Sequence, residues 1–281
     1  MSRLVVGTAQ WGLDYGITNR AGQLTDSTVQ GLVREMQDLG IHHLDTAASY
    51  GNAEERIAQL APWSLRVQTK ISGTHSEPST VEEKITASLT TLKRDQLDCV
   101  LIHDWFALSD QERRSVVDQL ERAQAQSLTL HIGVSVYSPD ELISARQLFS
   151  NDFTAQIPVN ALDHRFVHEH GNFPSVAYQA RSIFLQGLLL ERLDTPNQHR
   201  DLLKFDEICR TEALTPLQAS LLFISQQNWL ESIIIAPTSV EQLQDIHSAL
   251  AQAHALAHSS LVDFSSCESM DAHLLDPRTW N

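Results

Sequence analysis

Short apolar runs alternate with amphipathic helical segments along the whole chain of 281 residues. Parallel neighbouring strands need a crossover connection, usually a helix, so this alternation favours βα units around a parallel sheet. Eight such units predict an α/β fold, a (β/α)8 TIM barrel in a single domain over residues 1–281, with a C-terminal tail from about residue 258. The predicted strands are Leu4–Thr8, Ile41–Asp45, Leu65–Lys70, Leu97–Ile102, Leu128–Val134, Thr154–Ile157, Ser182–Leu185 and Ser232–Ala236.

A doubly wound open sheet is the structural alternative. No G-x-G-x-x-G follows a predicted strand, which disfavours the dinucleotide-binding form of that fold. The polar segment Asp163–Phe173 predicts a long βα loop on the functional rim of a barrel. Helices are predicted at Thr25–Leu39, Thr80–Leu92, Gln111–Gln124, Asp140–Phe149 and Ser239–Ala257, with a further one beginning at Thr215.

Composition excludes several classes of function. Acidic residues outnumber basic ones by 35 to 20, which disfavours nucleic-acid binding because that binding depends on Lys and Arg at phosphates. No apolar run approaches the roughly 20 residues of a membrane span, and the N-terminus lacks a signal-peptide pattern. We therefore expect a cytoplasmic protein that does not bind membranes. Three scattered cysteines and mostly isolated histidines predict neither disulfides nor a metal site.

Four polar residues, Asp45, Tyr50, Lys70 and His103, lie close behind predicted strands. A parallel barrel gathers the ends of its strands on one rim, so the four side chains can share a pocket. A lysine ammonium beside a tyrosine stabilises the phenolate and lowers the tyrosine pKa from about 10. An aspartate would hold that lysine, and a histidine could orient a carbonyl oxygen. The set suits proton delivery to a carbonyl, although each residue alone is better explained as a cap, a surface charge or a packed aromatic.

Several segments resemble the aldo-keto reductase superfamily. Asp45–Gly51 is similar to its Asp-Thr-Ala-x-x-Tyr-Gly segment, and Thr69-Lys70 to its strand-end Thr-Lys. Ser88–Asp98 followed by Leu101-Ile102-His103 resembles the run that precedes the family's histidine. Further matches, in the family's order between residues 4 and 250, are Val6–Gly12, Ile132–Ser135, Gln156 and Gln186–Leu189. Two segments, Gly7–Gly16 and Arg181–Gly187, look like those of a bacterial branch of the family that is often associated with surface-polysaccharide genes.

The resemblance implies a barrel that binds NADP(H), with NAD(H) as the alternative, and reduces a small aldehyde or ketone by hydride transfer. Tyr50 would be the general acid, Lys70 and Asp45 its tuning pair, and His103 the donor that orients the substrate. The positions that match the cofactor site are Ser135 and Gln156 at the carboxamide, Arg181 at the ring, Ser182, Phe184 and Gln186 at the pyrophosphate, and Ser239 and Gln242 at the adenosine phosphate.

The chain departs from the family pattern at the cofactor site. Val136 replaces an asparagine, Arg181 replaces an aromatic residue, and Asp245-Ile246 replaces Glu-Asn. The last unit also lacks the lysine or arginine that commonly meets the 2′-phosphate, so the preference for NADP over NAD is open. Trp11, Trp105 and Phe106 are expected to wall a substrate pocket, with core packing as their alternative. Asp163 and Arg165 are expected to form an ion pair in their loop.

Two other functions remain as alternatives. A regulatory protein could keep a degenerate reductase fold and bind the cofactor without fast chemistry. A lyase or isomerase could instead use a Schiff base at Lys70. A sugar or sugar-nucleotide aldehyde is the expected kind of substrate, and the sequence indicates no oligomeric state.

Overall fold

Eight parallel strands close into a barrel in the computed structural model of the chain, which describes residues 3–74, 80–191, 199–257 and 261–280. Each strand pairs with the next one in sequence, and the eighth pairs with the first. The (β/α)8 prediction is therefore confirmed. The strands are β1 Arg3–Gly7, β2 His43–Asp45, β3 Arg66–Ile71, β4 Leu97–Ile102, β5 Thr129–Ser135, β6 Phe153–Pro158, β7 Val176–Arg181 and β8 Leu230–Ile235.

Helices surround the barrel and connect its strands. They are α1 Ala9–Gly12, α2 Asp26–Asp38, α3 Ala53–Leu60, α4 Val81–Leu92, α5 Asp110–Ala125, α6 Pro139–Arg146, α7 Arg165–Glu169, α8 Arg200–Thr211, α9 Pro216–Ser225, α10 Val240–Ala257 and α11 Ala272–Leu275. Short 3-10 turns occupy Trp105–Ala107, His170–Asn172, Leu185–Gly187, Ser265–Cys267 and Pro277–Thr279.

Local sequence explains where several of these helices begin. Thr80, Ser109 and Thr215 each form a capping box with the residue three positions later, which satisfies backbone N–H groups that have no partner inside the helix. Helix α2 buries Val29, Leu32, Val33 and Met36, the spacing of one helical face, against the outside of the barrel. Among the helices described, none is long and apolar enough to cross a membrane.

The predicted seventh strand, Ser182–Leu185, is wrong. The strand is Val176–Arg181, and the chain after it turns. Ser182, Leu185 and Gln186 adopt positive φ angles of 55°, 48° and 53°, which an extended strand does not permit. The sequence pattern does not predict Val176–Arg181 as a strand, because its polar residues, including Gln179, interrupt the apolar run.

Three other regions differ from the sequence prediction. Segment 163–173 contains α7 and a 3-10 turn, so it is not simply a loop. Helices α3 and α8 have no predicted counterpart. The expected start of the tail, about residue 258, falls on residues 258–260, which lie outside the described residues. The tail is described over residues 261–280, and it packs Phe264, Cys267 and Leu275 into the core.

Candidate active site

The four predicted catalytic side chains meet at the carboxyl end of the barrel. Asp45 ends β2, Lys70 lies near the end of β3, and His103 follows β4 directly. The Lys70 ammonium donates to Asp45 Oδ2 at 2.5 Å and lies 5.2 Å from the centroid of the Tyr50 ring. That ring meets the His103 imidazole edge to face, with centroids 5.9 Å apart. The strand register thus brings the Tyr50 phenol, the Lys70–Asp45 ion pair and the His103 imidazole together.

Two glycines fix the turn that carries Tyr50. A Cβ at Gly12 would collide with the carbonyl oxygen of Tyr50, and a Cβ at Gly51 would collide with the carbonyl oxygen of Gly12. Gly51 also has a φ of +56°, in the left-handed region that other residues rarely adopt. The backbone at Gly12 and the backbone at residues 50–51 therefore approach more closely than a side chain at either glycine would allow. This close contact fixes the position of Tyr50.

Burial and charge shift the pKa values of Tyr50, Lys70 and His103. Burial raises the pKa of Tyr50, and the Lys70 ammonium reduces that rise without cancelling it. Burial lowers the pKa of Lys70, but the Asp45 carboxylate and the Tyr50 oxygen raise it more, so it lies above its ordinary value. Burial, with help from Lys70 and Arg181, lowers the pKa of His103 to about 4. At neutral pH the site therefore holds a protonated tyrosine, a charged lysine and a neutral imidazole.

Three glutamines below these groups form a hydrogen-bonded layer inside the barrel. Gln68 and Gln156 both donate to Asp45 Oδ1, at 2.7 and 2.9 Å. Gln68 and Gln179 exchange two further hydrogen bonds, at 2.9 and 2.8 Å. Asp45 is thus fully engaged, with one oxygen on the amides and the other on Lys70. Gln156, which the resemblance assigns to the cofactor, holds the Asp45 carboxylate in this structure.

Sequence reasoning missed Gln68 and Gln179. A signal existed, because each is a neutral amide in the middle of a barrel strand. An uncompensated amide is costly inside a barrel, so a glutamine there indicates a partner nearby.

A cavity of about 940 Å³ is lined by the four candidate catalytic groups. This volume lies at the upper end of the range for small-molecule sites. The predicted cofactor residues that line it are Ser135, Gln156, Arg181, Ser182, Phe184, Gln186 and Gln242. Ser239 is not among the lining residues; its hydroxyl instead accepts a hydrogen bond from the Gln242 backbone N–H at 3.2 Å.

The aromatic residues proposed for the substrate pocket divide into two groups. Phe106 lines the cavity and is 48% exposed. Trp11 and Trp105 are fully buried in the core and do not line it, and the Trp105 indole donates to the hydroxyl of Ser144 at 2.8 Å. The expectation that the two tryptophans wall the pocket is therefore corrected: both pack in the core, as the alternative had it.

Charged and aromatic side chains from loops form the rim of the cavity. Arg278, from the C-terminal tail, lies over Tyr137 at 3.6 Å and over Phe106 at 4.5 Å. Arg181 covers Tyr137 at 3.9 Å. Asp276 pairs with Arg278 at 2.6 Å, whereas Arg181 pairs with no carboxylate among the described residues. Sequence reasoning missed Tyr137 and Arg278, and no local pattern distinguishes them.

Two loops also meet across the cavity mouth. Arg20 pairs with Glu191 at 2.5 Å, and the Thr18 hydroxyl donates to the carbonyl oxygen of Gln186 at 3.0 Å. Tyr15 accepts a hydrogen bond from Gln186 at 3.3 Å, and burial raises the Tyr15 pKa to about 12. These contacts join the segment after β1 to the segment after β7.

The far end of the cavity is formed by the last βα unit. Pro237, Thr238, Gln242 and Asp245 line it. Residues 230–257 contain no lysine or arginine. The expected ion pair of Asp163 with Arg165 forms at 2.7 Å, away from the cavity, as a structural contact.

Comparison with known proteins identifies the class of this barrel. The sequence model of the aldo/keto reductase family matches residues 3–264. An aldo-keto reductase of Bacillus halodurans in its holo form has the same fold, with a TM-score of 0.72 and 17% identity over 95% of each chain. The glycerol dehydrogenase of Gluconobacter oxydans gives a TM-score of 0.66 and 17% identity over 94% of each chain.

The chain therefore belongs to the aldo/keto reductase family. A plant relative, the D-galacturonate reductase of Fragaria ananassa, is 27% identical over an alignment of 149 positions, which covers 43% of this chain and 46% of that protein. The match thus spans less than half of the plant protein. Family and fold together support a nicotinamide-dependent carbonyl reductase in general.

Proposed function

We propose that this protein reduces an aldehyde or ketone to an alcohol with Tyr50 as the proton donor. The observation that carries the proposal is the buried Lys70–Asp45 pair beside the Tyr50 ring, at the bottom of a large cavity. A buried ion pair of this kind contributes little net stability, because desolvation offsets the attraction between the charges. Its position next to a protonated tyrosine favours a chemical role.

Each residue has a distinct task in this proposal. Tyr50 keeps its proton at neutral pH and gives it to the carbonyl oxygen as negative charge develops there. The Lys70 ammonium stabilises the phenolate that remains, and Asp45 keeps Lys70 charged and in place. His103 lies 3.2 Å from the Ser49 hydroxyl through Nδ1. If that nitrogen accepts, Nε2 carries the proton and can donate to the substrate oxygen.

The cavity has room and polar groups for a nicotinamide cofactor, which supplies the hydride when bound. Ser135 and Gln156 would hold the carboxamide, and Arg181 would lie at the ring. Ser182, Phe184 and Gln186 would follow the pyrophosphate. Gln242 would lie at the adenosine end, with Ser239 holding the Gln242 backbone from outside the lining. NADP(H) is the cofactor we propose first. NAD(H) is the alternative, because Asp245 lines the far end and residues 230–257 offer no cation for a 2′-phosphate.

Turnover and cofactor binding in Tyr50→Phe test the proposal. We expect the reduction rate to fall by roughly 10²–10⁴-fold, while the quenching or enhancement of NADPH and NADH fluorescence on binding stays near the wild-type level. Tyr178→Phe is the matched control, because Tyr178 is buried outside the cavity and loses the same hydroxyl. Full activity in Tyr50→Phe would remove Tyr50 from its role. Failure of the wild-type protein to bind either cofactor would overturn the proposal as a whole.

The rim further suggests a substrate with an acidic group. Arg181 has no carboxylate partner among the described residues. Asp276 engages Nε and Nη2 of Arg278 and leaves Nη1 without a hydrogen bond to any described residue. Two guanidinium groups against the Tyr137 ring, both lining the cavity, suit a carboxylate or phosphate. The plant relative, named for an acidic sugar, points the same way.

Arg278→Met tests this substrate preference with paired sugars. We expect kcat/KM for D-galacturonate to fall about tenfold or more, with little change for D-galactose, which lacks the carboxylate. Arg113→Met is the matched control, because Arg113 also lies over an aromatic ring, that of Trp105 at 5.5 Å, but does not line the cavity. Equal losses for both sugars would show that Arg278 supports the rim without recognising charge.

A further inference from the structure

We infer that His164, His168 and Glu268 form a binding site for a divalent transition-metal cation of the zinc type. The site lies where helix α7 meets the C-terminal tail, outside the lining of the large cavity. One ligand atom from each of the three residues lies within 4.8 Å of the other two. This inference departs from the sequence-based expectation of no metal site, because Glu268 is about a hundred residues from the histidines.

The two histidines are arranged as a metal pair. They are four residues apart, with His164 at the N-cap of α7 and His168 near its end, and their ring centroids lie 6.2 Å apart. His168 Nε2 lies 2.8 Å from Glu268 Oε1, and His164 Nδ1 lies 3.7 Å from Glu268 Oε2. The carboxylate thus lies between both imidazoles, with one oxygen toward each.

The ring of His164 is held in the orientation that a metal ligand needs. Its Nε2 hydrogen-bonds the carbonyl oxygen of Ala161 at 2.9 Å, so Nε2 carries the proton and Nδ1 presents a lone pair toward Glu268. Phe223 stacks on the ring at 4.8 Å, and the side chain is only 7% exposed. A backbone carbonyl on the second ring nitrogen is the usual support for a metal-bound histidine.

The donor set selects the kind of cation. Two imidazoles and one carboxylate suit Zn²⁺ and other late first-row cations, whereas Mg²⁺ and Ca²⁺ prefer oxygen ligands alone. Zinc bonds of about 2.0–2.2 Å require the donor atoms to lie a little over 3 Å apart. The 2.8 Å pair must open slightly, and His168, whose side chain is 59% exposed, is free to do so. Three protein ligands leave a fourth position for water.

A cation here would strengthen the attachment of the tail to the barrel. Two hydrogen bonds already attach the tail. The Ser269 backbone N–H donates to the carbonyl oxygen of Leu162 at 2.9 Å, and the Cys267 thiol donates to the carbonyl oxygen of Ala161 at 3.0 Å. The same tail carries Arg278 to the rim. Occupancy of the site would therefore stabilise the segment that delivers Arg278.

Zinc titration of the untagged, chelator-treated, full-length protein tests the inference. Calorimetry with ZnCl₂ should show one saturable site per chain, and MgCl₂ should show none. His168→Ala and Glu268→Gln should each weaken zinc binding by at least about tenfold. His131→Ala, which removes an exposed histidine from β5, is the matched control and should bind as wild type does.

Thermal unfolding gives a second, independent measurement. Zinc should raise the Tm of the wild-type protein and of His131→Ala by on the order of a few degrees, and should leave the Tm of His168→Ala unchanged. His168 is largely exposed, so its replacement should not prevent folding. The inference would be overturned if the wild type showed no saturable zinc binding. It would also be overturned if His168→Ala and Glu268→Gln bound zinc as tightly as the wild type does.

Discussion

The floor and the rim of the cavity are built from different parts of the chain. The floor consists of Asp45, Lys70, Gln68, Gln156 and Gln179, all carried by strands that pair in register. The first four are at most 4% exposed. The rim comes from loops and from the tail, and its ion pair of Arg20 with Glu191 is largely in solvent.

This difference means that the floor residues are fixed by their buried partners, whereas the rim residues can be replaced. Strand register positions the floor atoms to within a hydrogen bond, and every buried polar group there depends on its neighbour. On the rim, each side chain contacts solvent, so its replacement leaves no buried partner behind. The floor therefore suits a chemical step common to many substrates, and the rim suits the choice among them.

The largest expected effect follows from breaking the floor pair. Lys70→Met leaves the Asp45 carboxylate buried and without its cation, so we expect the free energy of unfolding to fall by about 3–5 kcal/mol. Urea denaturation measures this change. The double variant Lys70→Met/Asp45→Asn should recover much of the stability but none of the activity. A stable Lys70→Met single variant would contradict the view that the floor is fully desolvated.

A smaller effect concerns acid stability through His103. Its pKa in the folded protein is about 4, below the ordinary 6.5, so the unfolded chain takes up this proton first as the pH falls. Stability contributed by neutral His103 is complete above pH 6.5 and is lost as the pH falls toward 4. The loss is on the order of 2 kcal/mol, since His103 is partly exposed.

Unfolding of His103→Gln at pH 7.5 and pH 4.5 measures this contribution. The variant should lose less stability than the wild type between the two pH values. His42→Gln, which replaces an exposed histidine, should behave as the wild type does. An identical loss in His103→Gln and wild type would mean that His103 titrates normally.

The smallest effect is expected at the rim. Arg20→Gln breaks the exposed pair with Glu191 and should change the free energy of unfolding by less than about 1 kcal/mol. The cofactor dissociation rate is the more sensitive measurement, because this pair bridges the cavity mouth. A stability loss as large as that of Lys70→Met would remove the distinction between floor and rim.

Sequence patterns predicted the floor better than the rim. Asp45, Lys70 and His103 follow apolar strands, and the closed barrel then requires their side chains to converge. Ser182–Leu185 was misread as a strand because apolar content alone does not report a positive φ angle. Trp11 and Trp105 were placed in the pocket because position after a strand does not say which way a large ring turns.

By itself, the sequence determined the eight-unit barrel, most of its strands and the four catalytic candidates. These depend on periodicity and on neighbours in the chain, which are local properties. Only the tertiary structure decided the glutamine layer around Asp45, the place of Arg278 over Tyr137 and the meeting of Glu268 with two histidines. Each of these joins residues far apart in sequence, and their contacts exist only after the barrel closes and the tail folds back across it.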